Sequence, residues 1–228
     1  LIRILAWVAL LLSVMAAMSA EARDSRFAIG DRTFLFSLPA AFCDLQASGT
    51  DVPDGLRQDL DQISARRMTL KVVAVPCQRI EGLQQALRTG DPVRVLVLGL
   101  LAVDGQEMAA DGVGNAFWQA LWGTARYYRI VAGDDGLLHQ LRQQLQRQAI
   151  AFDLDAIDVA VVENRIDVEL SGRPQRWGDA ESLGVAAITE PVSGHFLVAS
   201  VIQSASLERV PPTIADVLAM RQQLREVD

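Results

Sequence analysis

The chain has 228 residues, half of them hydrophobic and 21% charged, with a formal net charge of −7. Those proportions exclude an intrinsically disordered chain, which buries too little apolar surface to offset its conformational entropy. The acidic balance, with Lys71 the only lysine and no Arg cluster, argues against nucleic acid as a partner, since that needs a concentrated basic face.

Residues 1–22 have the layout of a secretory signal peptide. Arg3 supplies a short positive region, Ile4 to Met15 an apolar stretch broken only by Ser13, and Ala20-Glu21-Ala22 the small-x-small pattern that a signal peptidase accepts. The alternative is an uncleaved N-terminal anchor, because Ile4 to Ala20 just reaches the roughly 17 residues that a span requires. Cleavage leaves one domain over 23–228, with no integral membrane segment and enough chain to bury roughly 70% of its extended surface. Export to the periplasm or beyond makes an even cysteine count meaningful, and Cys43 and Cys77 are the only two. A bond between them closes a loop of roughly thirty residues, worth about 3–4 kcal/mol in the chain-entropy model.

In chain order, Arg32 to Leu38 alternates Thr33, Leu35 and Ser37 with Phe34, Phe36 and Leu38, the period of a strand, and Pro39 ends it. Asp54 caps an expected helix over 55–66, and Met68 to Val75 is a strand whose unbroken Val72 to Val75 run suits a central position. Glu81 to Arg88 reads as a short helix. Val93 to Val103 is a buried strand, and Asp104-Gly105 a hairpin signal. Asn115 caps a helix with Trp118, Leu121, Trp122 and Ala125 on one face, and Asp134 or Asp135 starts another. Asp158 to Leu170 is one strand or two, turning at Glu163-Asn164, and Ser171 to Asp179 is loop. Leu183 to Thr189 and Phe196 to Ile202 form an antiparallel hairpin about Pro191-Val192-Ser193-Gly194. Thr213 and Asp216 open a final helix with Ile214, Val217, Leu218, Leu224 and Val227 inward. The expected fold is α/β (α+β), a mainly antiparallel sheet of about six strands with helices packed on its faces.

The S-L-P-A-A-F-C strand end at 37–43 and the T-E-P-V-S-G-H-F-L-V-A-S-V-I hairpin at 189–202, followed by a helix, resemble the PsbP-like superfamily. That resemblance implies a compact α/β/α sandwich around an antiparallel sheet, and a binding or assembly role. It transfers no active site.

The chemistry sought is mostly missing. His139 and His195 are the only histidines, too few for a histidine-rich zinc or copper site, so no metal or cofactor is expected. There is no G-x-S-x-G elbow, and Ser193-Gly194-His195 reads as turn chemistry. Asp111-Gly112-Val113-Gly114 lacks the rest of a phosphate loop, and Asp153, Asp155 and Asp158 read as solvated loop acids without the glycine and glutamate of a calcium loop. No catalytic residue stands out. The aromatic group Trp118, Trp122, Tyr127 and Tyr128 is the candidate partner surface, because such side chains concentrate at interfaces, although the favoured reading is that Trp118 and Trp122 cover the sheet with Tyr127 or Tyr128 at the rim. The expectation is an exported, non-catalytic binding or assembly module with another envelope protein as its partner. The alternatives are a small periplasmic hydrolase with scattered catalytic residues and an N-terminally anchored envelope protein.

Overall fold

The structure, a computed structural model, describes residues 24–45, 68–80, 82–83, 85–86, 93–103, 105–111, 152–162, 165–174, 182–205 and 211–227. Antiparallel strands dominate them. A small sheet has the order β1 (Asp24–Ile29), β2 (Arg32–Ser37), β11 (Leu224–Val227). A large sheet has the order β3 (Phe42–Asp44), β4 (Met68–Pro76), β5 (Arg94–Val103), β10 (His195–Ala205), β9 (Ser182–Val192), β8 (Arg165–Pro174), β7 (Phe152–Val162), with β6 (Gln106–Glu107) paired to the end of β5. The helix α1 (Ile214–Arg221) is the one whose whole range falls among the described residues.

This overturns the expected α/β domain of about six strands with helices packed on its faces. The cover on one face of the large sheet is mainly a second sheet. Directly opposed residues of antiparallel strands share a face, and the registers place Val72, Leu98, Leu197 and Ile188 on the covered face. Phe34, Phe36 and Leu224 from the small sheet, and Val217 and Met220 from α1, complete that cluster. The other face carries Val73, Val75, Val95 and Val97 with Leu83 and Ala86, and further along Phe196 with Ile166. β4 and β5 are therefore buried on both sides, as their continuous apolar runs require.

Besides the short strands β1, β3 and β6, which the sequence did not mark, two misreadings contribute to the miscount. Leu224 and Val227 sit at the i, i+3 spacing of a helix, yet α1 stops at Arg221 and the chain pairs with β2, Leu224 opposite Phe36. Asp153 and Asp155 read as loop acids and the stretch from Ser171 as loop, yet they belong to a hairpin of β7 and β8 that runs from Phe152 opposite Pro174 to Val162 opposite Arg165. The acids at 153, 155 and 158 are strand residues, not loop residues, and the stretch from Ser171 to Pro174 is strand as well. The expected helices over 55–66 and from 115 and 134 onward lie outside the described residues. Of the one over 81–88, Leu83 and Ala86 are seen to be buried, and the Ala86 N–H donates to the Gly82 carbonyl at 2.8 Å.

The turns follow their sequences. Between β9 and β10, Ser193 (φ 47°) and Gly194 (φ 74°) both take positive φ, the two-residue hairpin geometry that glycine favours. The Cys43–Cys77 disulfide is present, with Cα atoms 5.0 Å apart. It ties the three-residue edge strand β3 to the chain leaving β4, where the Cys77 N–H also donates to the Ala41 carbonyl at 2.8 Å.

Candidate functional site

A cleft of about 540 Å³ opens where the chain crosses from the small sheet to the large one. Pro39 cannot continue a ladder, so β2 ends. The Phe42 N–H then donates to the Pro39 carbonyl at 2.8 Å, and this turn carries the chain into β3. Leu38 and Phe42 from this crossing, Leu96 from β5 and Met220 from α1 give the cleft apolar walls, and Ser37, Arg94, Asp216 and Gln223 give it a polar rim.

Arg94 opens β5 on the side of Leu96 and Leu98, so its guanidinium reaches toward α1. Its Nη2 donates to Asp216 Oδ1 at 2.7 Å. The other Asp216 oxygen accepts from the Thr213 backbone N–H at 2.8 Å and the Thr213 hydroxyl at 3.0 Å. The capping role expected of Asp216 is thus real, and the same carboxylate also holds an arginine from a strand. Burial pushes the Asp216 carboxyl up, but the Thr213 N–H and the Arg94 guanidinium bonds outweigh it and hold the group below its ordinary 3.8. At the other end of the rim, the Ser37 N–H donates to the Gln223 carbonyl at 3.2 Å, and Arg225 Nη2 donates to Ser37 Oγ at 3.2 Å.

The helical wall is fastened from beneath. Glu169 on β8 accepts the Ile214 N–H at 2.6 Å, and Arg221 pairs with Glu190 on β9. Gly184 lets the lead-in to α1 lie flat on β9, since a Cβ there would stand 2.7 Å from Pro212 Cδ and 2.9 Å from Pro211 Cβ. On the opposite flank, buried Ser25 on β1 donates to buried Asp44 on β3 at 2.6 Å and joins the two sheets.

Of the residues singled out in the sequence, the structure joins Cys43 to Cys77. His195 starts β10 with Nδ1 3.1 Å from the Ser193 carbonyl oxygen, and its ring lies against the Gly30 turn, where a Cβ would be 3.1 Å from Cε1. Trp118, Trp122, Tyr127, Tyr128 and His139 lie outside the described residues, as do positions 112–114. Among the described residues, no three His, Cys, Asp or Glu side chains gather in a way that could hold a metal ion. No described helix is long and apolar enough to cross a membrane.

Arg94 was missed in the sequence. A single arginine flanking an apolar strand is ordinary, and its carboxylate partner is 122 positions away. The only signal was parity, since Arg94 shares the face of Leu96, Leu98 and Leu100. No protein-family model matches the chain, and no curated protein matches it either.

Proposed function

We propose that the chain is an exported, non-catalytic binding or assembly module of the cell envelope, and that the cleft between β2, β5 and α1 is its docking site. The observation that carries this reading is a concavity of about 540 Å³ whose walls come from two sheets and a fastened helix. Binding sites are typically preformed concavities with apolar walls and a few placed polar groups. The signal-peptide layout of residues 1–22 and the Cys43–Cys77 bond support export, because disulfides persist in oxidising compartments. The PsbP-like resemblance points the same way, toward binding or assembly.

The test is expression in a Gram-negative host with a photo-crosslinking residue at Ala219, on the cleft wall, or at Asp31, in the exposed turn between β1 and β2. Expected are a periplasmic protein beginning near Arg23, with both thiols blocked until reduction, and a discrete adduct with an envelope component from position 219 only. Retention in the cytoplasm with free thiols, or identical adducts from both positions, would overturn the reading.

A further inference from the structure

The two edges of the large sheet differ in kind. At one end, β3 is three residues long and is tied down by the Cys43–Cys77 bond. At the other end stands β7, eleven residues long, and among the described residues no strand pairs with its outer side. A bulge between Leu154 and Ala156 interrupts its ladder with β8, but from Ala156 to Val162 the register runs unbroken for seven residues. A long regular edge offers its backbone N–H and C=O groups to an added strand.

The side chains along this edge select what is added. Asp158, Ala160 and Val162 fall on one face of the sheet. Val162, 41% exposed, is the one exposed large hydrophobic side chain among the described residues. Asp158 is exposed and stands directly opposite Glu169, a like-charge pair of the sort that destabilises a ladder. Glu169 is held in place, because its Oε1 accepts the Ile214 N–H at 2.6 Å. Arg165, on the same face of β8, is engaged by both oxygens of Asp167. Among the described residues no cation pairs with Asp158. The position beside it on the outer side of β7 is where a cation would relieve the repulsion.

We propose that the outer edge of β7, from Ala156 to Val162, is a second docking surface, which takes an extended basic segment of another polypeptide as an added strand. The added strand runs antiparallel, as every pairing within the large sheet does. An apolar side chain then lies opposite Val162 and a cation opposite Asp158, so the segment reads apolar-x-x-x-cation from its N-terminus. The β7 strand of a second copy does not fit, because it holds three aspartates and no lysine or arginine. This edge is the one remote from β3 and the cleft, so the proposal stands apart from the role given to the cleft.

The experiment is fluorescence anisotropy of a dye-labelled Val-Thr-Thr-Val-Lys-Val-Thr peptide titrated with the purified, disulfide-intact chain, together with hydrogen exchange of the complex. Saturable binding is expected, with amide exchange slowed within 156–162. A peptide with glutamate in place of the lysine should bind about three- to tenfold more weakly. Asp158→Lys should reverse that preference at an unchanged melting temperature, since the side chain is exposed. Two further peptides carry N-methyl groups on alternate residues, the odd set in one and the even set in the other. An edge strand directs only every second N–H toward its neighbour, so one of the two should bind and the other should not. The proposal is overturned if the lysine peptide does not bind saturably, if the glutamate peptide binds as well, if Asp158→Lys leaves the preference as it was, or if the two methylated peptides behave alike. A concentration-dependent dimer that protects 156–162 would make a second copy the occupant and also overturn it.

Discussion

At the residue scale, the fold depends on a glycine that no periodicity marks, Gly99. A Cβ on Gly99 would sit 2.6 Å from Met68 Cγ and 2.9 Å from the Thr69 carbonyl oxygen, and only the first of these neighbours is a flexible side chain. Gly99→Ala should therefore cost about 1–3 kcal/mol in denaturant unfolding, the range for overpacking. Gly82→Ala is the control, because nothing lies within 4 Å of its added Cβ, and it should stay within about 0.5 kcal/mol. Asp216 gives a pH test. Its carboxyl is lowered in the folded protein, so its contribution to stability is fully present above its ordinary value of 3.8. That contribution is lost as pH falls through the lower folded value. Thr213 and Arg94 are the groups that lower it, and Asp216→Asn removes the titration. The stability gap between wild type and Asp216→Asn should be widest above about pH 4 and narrow below it. A gap that widens on acidification would contradict the assignment.

At the element scale, β11 and the β7–β8 hairpin decide the architecture; β11 was illegible, and the hairpin was read over Asp158 to Leu170 but not over its outer ends at 152–157 and 171–174. The stretch Leu224–Val227 is short, and its spacing fits one more helical turn as well as a strand. What selects strand is the free edge of β2, nearly two hundred residues earlier in the chain. Leu224 is buried in the main cluster, whereas Arg225 is exposed. Leu224→Ala should thus cost about 2–4 kcal/mol and Arg225→Ala within about 0.5 kcal/mol, measured by chemical denaturation. A helix continuing through 224 would not place Leu224 opposite Phe36. By contrast, β4, β5 and the β9–β10 hairpin were plain in the sequence. Their apolar runs are long and β-branched, and Ser193-Gly194 is a strong local turn signal. The candidate site was legible only in fragments. Asp216 was visible as a cap, but Arg94 and the walls of the cleft exist only once the two sheets and α1 meet.

At the scale of the whole molecule, the cysteine pair was the best reading the sequence offered. The bond joins residues 34 apart and holds the short β3 on β4, next to Phe42 in the cleft wall. Reduction should lower the unfolding free energy by about 3–4 kcal/mol, seen as a shift in denaturant midpoint with and without reductant. It should also weaken any ligand held against Phe42. The small sheet has a further consequence, for the order in which the molecule is completed. Its middle strand, β2, is flanked by β1 immediately before it and by β11 far downstream, as the Arg32–Glu226 pair, separated by 194 positions, shows. A chain that leaves the ribosome or crosses a membrane from its N-terminal side delivers the β1–β2 hairpin first. That hairpin then waits with Phe34 and Phe36 unsheltered until nearly all the described strands have followed. Closure across so long a separation is slow, and the interval before it is when this protein is most open to capture by a chaperone or to loss by aggregation.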